Sequence, residues 1–269
     1  MSRKIGFIGA GNMASAILGG ILQNSVEKAQ NLYIYDPDLD KLNRFVQKGV
    51  NACQNEVEAV EQSDVLFFCV KPQAITDVLP KIRTAAQKNP GCLYVSIMAA
   101  ITTAYIKQEL GFDAKVIRLM PNTPLLIGQG ATALSYDAQV TQEEFTFVRD
   151  LFSKLGAVAV IPEDKMDAVI PVNGSSPAFV YLFIKTMVDQ AVENGIAYNA
   201  ALDLACATFI GSANMVLQSG KTPQELIDMV SSKGGTTLAA LAKFEECGLT
   251  DAYRKGMEAS IERSKELSR

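Results

Sequence analysis

The chain has 269 residues, 48% of them hydrophobic and 20% charged, with a net charge of −4. That is an ordinary globular composition, and its slight acidity gives no electrostatic reason to expect nucleic-acid binding. There is no histidine, and the five cysteines (Cys53, Cys69, Cys92, Cys206, Cys247) form no CxxC pair; Cys/His zinc sites, the Ser-His-Asp triad and the Cys-His dyad are therefore excluded together, no metal is expected, and the thiols suit a reducing, cytoplasmic compartment.

Residues 4–8, KIGFI, form a short β-type run; Gly9 to Ala14 turn the chain, and SAILGGILQ continues at helical spacing. The basic start MSRK before this apolar stretch has the outline of a secretory leader, but a nucleotide fingerprint accounts for the same residues. LYIYD (32–36) is a second strand with the helical DLDKLNRFVQK behind it. DVLFFCV (64–70), CLYVSI (92–97) and KVIRLM (115–120) repeat the apolar strand pattern. Strands alternating with helical segments predict a parallel sheet covered on both faces.

After about residue 162 the pattern turns helical. VYLFIKTMVDQAVENG, ALDLACATFIGSANMVLQSG, TPQELIDMV, GTTLAALAKFEECG and TDAYRKGMEASIERSKEL all read as helices. Gly195, Gly220 and Gly248 stand where helices end, and Thr222-Pro223 where one begins. The expected domains are thus 1–161 and 162–269. SPAFVYLFI stops at Lys185, so no membrane-spanning run and no membrane partner are expected. So small a helical set, rich in apolar positions, is expected to complete its core by pairing with a second copy.

Gly9-Ala10-Gly11-Asn12-Met13-Ala14 is a G-x-G-x-x-A loop, weak alone but specific between a strand and a helix. Gly9 permits the tight turn, Gly11 lets a pyrophosphate approach the backbone, and Ala14 keeps helix and strand close. Asp36 ends the second strand, where a carboxylate takes ribose hydroxyls and repels a 2′-phosphate; that leans the cofactor toward NADH over NADPH. Asp36-Pro37-Asp38 also reads as a turn with a helix cap, and Arg44 lies within reach of a phosphate. Lys71-Pro72 sits at a strand's carboxyl end, where ligands of parallel sheets bind. The MPNTP loop (120–124) is either rigid scaffolding or a source of hydrogen bonds.

Together, IGFIGAGNMASAILGG, SDVLFFCVKP, VIRLMPNTP, NGSSPAF and PQELIDMVSSKGGTTLAAL resemble the pyrroline-5-carboxylate reductase family over essentially the whole chain. The resemblance implies an α/β fold: a Rossmann-type dinucleotide-binding domain followed by an all-helical dimerisation domain. It implies NADPH- or NADH-dependent reduction of 1-pyrroline-5-carboxylate to L-proline. It also implies a homodimer through the C-terminal helices, in several members a decamer, with the active site between the nucleotide loop and the helical domain, largely the partner chain's. Carried over by motif, Gly9, Ala10, Gly11, Asn12 and Met13 hold the pyrophosphate; Asn55, Val70, Lys71, Met98 and Ala99 are further nucleotide contacts. Val230, Ser231, Ser232, Gly234, Gly235, Thr236 and Thr237 match the substrate-binding stretch, and Glu163 a substrate-side position. The chain departs from the family at Lys233 (usually proline), Asn173 (serine), Phe179 (tyrosine) and Ala100 (glycine).

The implied substrate explains why histidine is dispensable. A protonated imine is already electrophilic and needs a hydride placed beside its carbon more than it needs an acid. Thr237, as the catalytic residue, would hydrogen-bond the ring nitrogen, or serve as a helix cap. Backbone N–H groups from Gly234 to Thr237 would hold the carboxylate. The rivals are a β-hydroxyacid dehydrogenase of the 6-phosphogluconate type, a non-catalytic dinucleotide-binding redox sensor and a methyltransferase. The dehydrogenase expects a lysine three residues before an asparagine in the helical half, and none stands there. The other two have no use for a second glycine site.

Overall fold

A computed structural model describes residues 2–268 of the protein. The first compact unit runs to Pro177 and takes back the chain from Ser260; the second is Ala178–Ala259. Helices take over near 162, but the first unit keeps fifteen residues beyond that point (163–177), because α7 (Met166–Val169) and the turns around it pack on the sheet through Met166 and Ile170.

The sheet of the first unit has eight strands in the order β3-β2-β1-β4-β5-β6-β7-β8: β1 Ile5–Ile8, β2 Leu32–Tyr35, β3 Asn51–Ala52, β4 Val65–Phe68, β5 Leu93–Ser96, β6 Lys115–Met120, β7 Gly130–Tyr136 and β8 Gly156–Val160. All neighbours run parallel except β6 and β7. β1, β4 and β5 are buried throughout, as strands covered on both faces must be. Ile5 and Phe7 point into one apolar layer with α1 (Asn12–Gln23) and α6 (Gln142–Ser153); Ile8, Leu66 and Phe68 point into the other with α3 (Glu56–Glu61), α4 (Ile75–Lys88) and α5 (Thr103–Leu110). Phe7 stacks on Phe67 at 5.0 Å and Phe68 on Tyr94 at 5.8 Å, adding ring–ring attraction to burial.

The chain leaves β1 toward β2 on one side, and β4 leads the other way, so the crevice opens between β1 and β4. Ile8 is level with Tyr35 and Phe68, and Phe68 with Ser96. The loops beginning at Gly9, Asp36, Cys69 and Ile97 therefore share one edge, where α/β sheets bind ligands.

The second unit holds most of α8 (Ser176–Glu193), α9 (Tyr198–Gln218), α10 (Pro223–Met229), α11 (Thr236–Glu246) and the start of α12 (Leu249–Leu267). Gly195, Gly220 and Gly248 adopt φ of +86°, +70° and +69°, the left-handed helix ends their positions suggest. Thr222 and Glu225 form a reciprocal capping box at α10. The buried core here is Val188, Ala201 and Ala205 alone, while Leu182, Leu204, Ile210 and Phe244 are more than half exposed. An apolar groove of about 600 Å³, lined by Phe179, Phe183, Phe244 and Tyr253 among others, opens within this unit. One expectation is corrected: α9 is long and apolar enough to cross a membrane by length and composition, with 11% of that window buried. Asp203 and scattered small polar residues interrupt its apolar run, so a search for unbroken apolar stretches passes over it.

Candidate active site

The glycine loop is built as its sequence requires. Gly9 has φ +103°, and a β-carbon there would meet the Cys69 carbonyl oxygen at 2.6 Å. Glycine alone fits where the β1 and β4 ends abut. A β-carbon on Gly11 would meet nothing within 4 Å, so the space in front of it is open. The first helical bond of α1 runs from Ser15 N–H to Gly11 C=O at 2.9 Å, and no side chain caps the helix. The N–H groups of Asn12, Met13 and Ala14 lie ahead of that bond, free to hold an anion at the positive end of a twelve-residue helix. These features fit a dinucleotide pyrophosphate.

Asp36 is oriented by the loop itself. Its carboxylate accepts the Ala10 N–H at 2.7 Å and the Asp38 N–H at 2.9 Å. Asn55 caps α3, accepting the Glu58 N–H at 2.9 Å and leaving its amide N–H groups uncommitted by that cap. Val70, exposed Lys71 and Pro72 follow β4 and lead into a short 3-10 turn. Met98 and Ala99 follow β5, and the next residue, Ala100, takes φ +62° while 3% exposed. A left-handed conformation there is one that glycine adopts without a β-carbon penalty.

Glu163 receives both donors of Thr103, the N–H at 2.7 Å and the hydroxyl at 2.5 Å. Arg118, on β6 and 2% exposed, brings one guanidinium nitrogen to 3.7 Å from Glu163 and another to 3.6 Å from Asp167. Both are ion-pair distances beyond hydrogen-bond reach, and Nε and Nη2 have no hydrogen-bond partner. Burial pushes the guanidinium below its ordinary value, against the pull of the two carboxylates. Asp167 in turn accepts the Ser264 hydroxyl at 2.8 Å. Asn173 donates to the Met120 and Ala131 carbonyls at 2.6 and 3.1 Å, and Asn122 accepts the Ala131 N–H at 2.9 Å. The MPNTP loop is thereby pinned to β7. Sequence reasoning missed Thr103, Arg118 and Asp167; the one available signal was a lone arginine inside the apolar run KVIRLM.

In the second unit, Val230 and Ser231 close α10, and Ser231 donates its hydroxyl to Ile227 C=O at 2.7 Å. Ser232 to Gly235 form a tight turn: Gly235 N–H donates to Ser232 C=O at 2.9 Å, and Gly234 has φ +76°. Left-handed geometry at the third turn position, with Lys233 second, is a type II arrangement, in which proline is favoured at the second place. Gly235 is the α11 cap, where no side chain caps. The first helical bond, Ala239 N–H to Gly235 C=O, leaves the N–H groups of Thr236, Thr237 and Leu238 ahead of it. Of the expected Gly234–Thr237 N–H groups, that of Gly235 is spent on the turn, while the open helix start extends to Leu238. Thr237, half-buried at the second helical position, is not the cap.

Among the described residues no group of three His, Cys, Asp or Glu side chains suits a metal. All five cysteines are free. Burial pushes Cys53 and Cys92 up to about 12 and raises Cys69 as well, so none of these three is a ready thiolate.

Two family models match: pyrroline-5-carboxylate reductase dimerisation over residues 163–267, and NADP oxidoreductase, coenzyme F420-dependent, over 4–100. The chain is 40% identical to a pyrroline-5-carboxylate reductase of Escherichia coli K12, covering 100% of both chains. It is 34% identical to one from Methanosarcina acetivorans, covering 100% of this chain and 99% of that one. The Plasmodium falciparum pyrroline carboxylate reductase with NADP bound superposes with a TM-score of 0.91 at 30% identity, covering 99% of this chain and 98% of that one.

Proposed function

The chain belongs to the pyrroline-5-carboxylate reductase family, and from that membership we propose how its own residues divide the work. The enzyme reduces 1-pyrroline-5-carboxylate to L-proline, the last step of proline biosynthesis, with NADPH or NADH. The observation that carries the assignment of roles is a helix start in each unit that no side chain caps, behind Gly11 in the first and Gly235 in the second.

We assign the first to the cofactor. The N–H groups of Asn12, Met13 and Ala14 would hold the pyrophosphate, with Gly9, Ala10 and Gly11 forming the turn. Asp36, Asn55, Val70, Lys71, Pro72, Met98 and Ala99 share the neighbouring strand-end loops and are proposed as further contacts. The bound nicotinamide supplies a hydride. The second helix start is assigned to the substrate: the N–H groups of Thr236, Thr237 and Leu238 take the carboxylate, and the Thr237 hydroxyl hydrogen-bonds the ring nitrogen. Val230, Ser231, Ser232 and Gly234 shape that turn. Glu163 acts from the first unit, where its carboxylate is held by Thr103. No side chain must remove a proton from carbon or oxygen, which suits a chain without histidine.

The helical region pairs two copies as a homodimer. Its thinly filled core and exposed Leu182, Leu204 and Ile210 leave an apolar surface that fits a dimer face. Assembly of such dimers into a decamer, a cytoplasmic location and a domain boundary near residue 162 are proposed with it. The test is loss of nicotinamide absorbance on mixing purified protein, pyrroline-5-carboxylate and either cofactor. Turnover is expected, with proline as product; a correctly assembled protein that consumes neither cofactor overturns the reading.

A further inference from the structure

We propose that Asp36 sets the choice between the two nicotinamide dinucleotides, selecting NADH, and does so through its charge rather than by holding the glycine loop. The inference rests on the dinucleotide reading of that loop.

The carboxylate is fixed before any ligand arrives. Gly9 N–H donates to the Tyr35 carbonyl at 2.8 Å, tying the β1 and β2 ends together. One step on, Ala10 N–H donates to one oxygen of Asp36, and Asp38 N–H to the other. Pro37 between them has no N–H. Each oxygen keeps a second lone pair, so the carboxylate can accept ribose hydroxyls without giving up either bond. A ribose with free 2′ and 3′ hydroxyls supplies such donors; a 2′-phosphate brings two negative charges instead.

Two devices would rescue a 2′-phosphate at this strand end, and Asp38 engages part of each. The first is a helix start with free N–H groups. Helix α2 (Leu39–Val46) begins at the right place, but Asp38 caps it with its own carboxylate, accepting the Asp40 and Lys41 N–H groups at 3.1 and 3.3 Å. The second is a nearby cation. Lys41 stands there, with its ammonium 2.8 Å from Asp38. From 36 to 41 three carboxylates (Asp36, Asp38, Asp40) face one ammonium (Lys41), leaving two negative charges in excess. Arg44 lies just under one turn past Lys41 on α2 and is the cation left to reach a 2′-phosphate, against the three carboxylates.

The experiment measures binding and turnover side by side. Calorimetric titration with NAD⁺ and NADP⁺ gives affinities free of catalysis, and kcat/KM with NADH and NADPH gives the working preference. Wild type is expected to favour the non-phosphorylated form by about tenfold or more in both. Asp36→Asn keeps an acceptor for Ala10 N–H and removes the charge; it should shift the NADPH/NADH ratio toward NADPH by about tenfold. Asp36→Ser, which removes the loop bond as well, should shift it in the same direction. Wild type that binds NADP⁺ as tightly as NAD⁺ overturns the proposal, as do variants that weaken both dinucleotides equally. An enzyme that reduces the imine but prefers NADPH overturns the role of Asp36 alone; one that binds NAD⁺ with the stated preference yet turns over no imine supports Asp36 and overturns the assigned reaction.

Discussion

Glu163 clasps Thr103 with both carboxylate oxygens, one on its backbone N–H at 2.7 Å and one on its hydroxyl at 2.5 Å. The clasp fixes the first turn of α5 and places a negative charge beside buried Arg118. Removing it should therefore cost more than two hydrogen bonds. Glu163→Ala is expected to lower stability by about 2 kcal/mol, reduced from the fully buried case by Glu163's partial exposure. Thr103→Val should cost about 1 kcal/mol. Urea unfolding midpoints decide; equal small losses would show that the Arg118 charge is met elsewhere.

Thr237→Ala should cut kcat/KM for the imine by about 10- to 100-fold, the loss of one hydrogen bond to a charged group. NAD⁺ affinity by calorimetry should stay within about twofold. A parallel collapse of dinucleotide binding would move Thr237 from the substrate to the fold.

Lys233→Pro should stabilise the protein by about 0.4–1 kcal/mol, because Lys233 occupies the second place of a turn whose third residue, Gly234, has φ +76°. Thermal unfolding of the variant beside Lys233→Gln separates loop stiffening from charge. If both variants weaken substrate affinity equally, the lysine charge is being used on the carboxylate.

Ala100→Gly tests the left-handed position after the β5 loop. Relief of strain, about 1–2 kcal/mol, is opposed by about 0.8 for the lost buried methyl and about 0.5–1 for glycine's entropy. The change should be nearly neutral in stability. Ala100→Val puts a branched side chain at φ +62° and should cost more than about 2 kcal/mol. Equal stability of the two variants would show that the local backbone rearranges.

Glu27 predicts an acid-sensitive corner. Burial opposes its charge, but bonds from Asn31, the Lys28 and Arg3 N–H groups and Ser2 outweigh it, lowering the carboxyl from 4.5 to about 2. A lowered folded-state value stabilises above pH 4.5 and is lost as pH falls from there toward 2. Glu27→Gln should be less stable at neutral pH and show a shallower loss over that window. Parallel pH–stability curves for the two proteins would contradict this.

The strands from β1 to β6 that carry an apolar run were legible because a strand buried on both faces has to be apolar throughout. β7 and β8 were not. Half of their residues are glycine or alanine, and what specifies them is contact: Gly156 at φ +146° lies so close to Gly130 that a β-carbon would overlap its carbonyl. Such close approach leaves no periodic mark. The glycine loop and the turn before α11 were readable as local devices, each defined by residues within a few positions. The Arg118 cluster was not, because its partners are drawn from Thr103, Glu163, Asp167 and Ser264 and meet only through the fold. At Gly235 the motif was visible but its N–H bookkeeping was not; the Ser232 bond had to be seen.

The thin interior of the helical unit ties its survival to mass action. With Val188, Ala201 and Ala205 as its buried core, that unit cannot hold much free energy of its own. Its melting temperature should then climb with protein concentration, as for any fold completed by a second copy. Dilution becomes a mild denaturant.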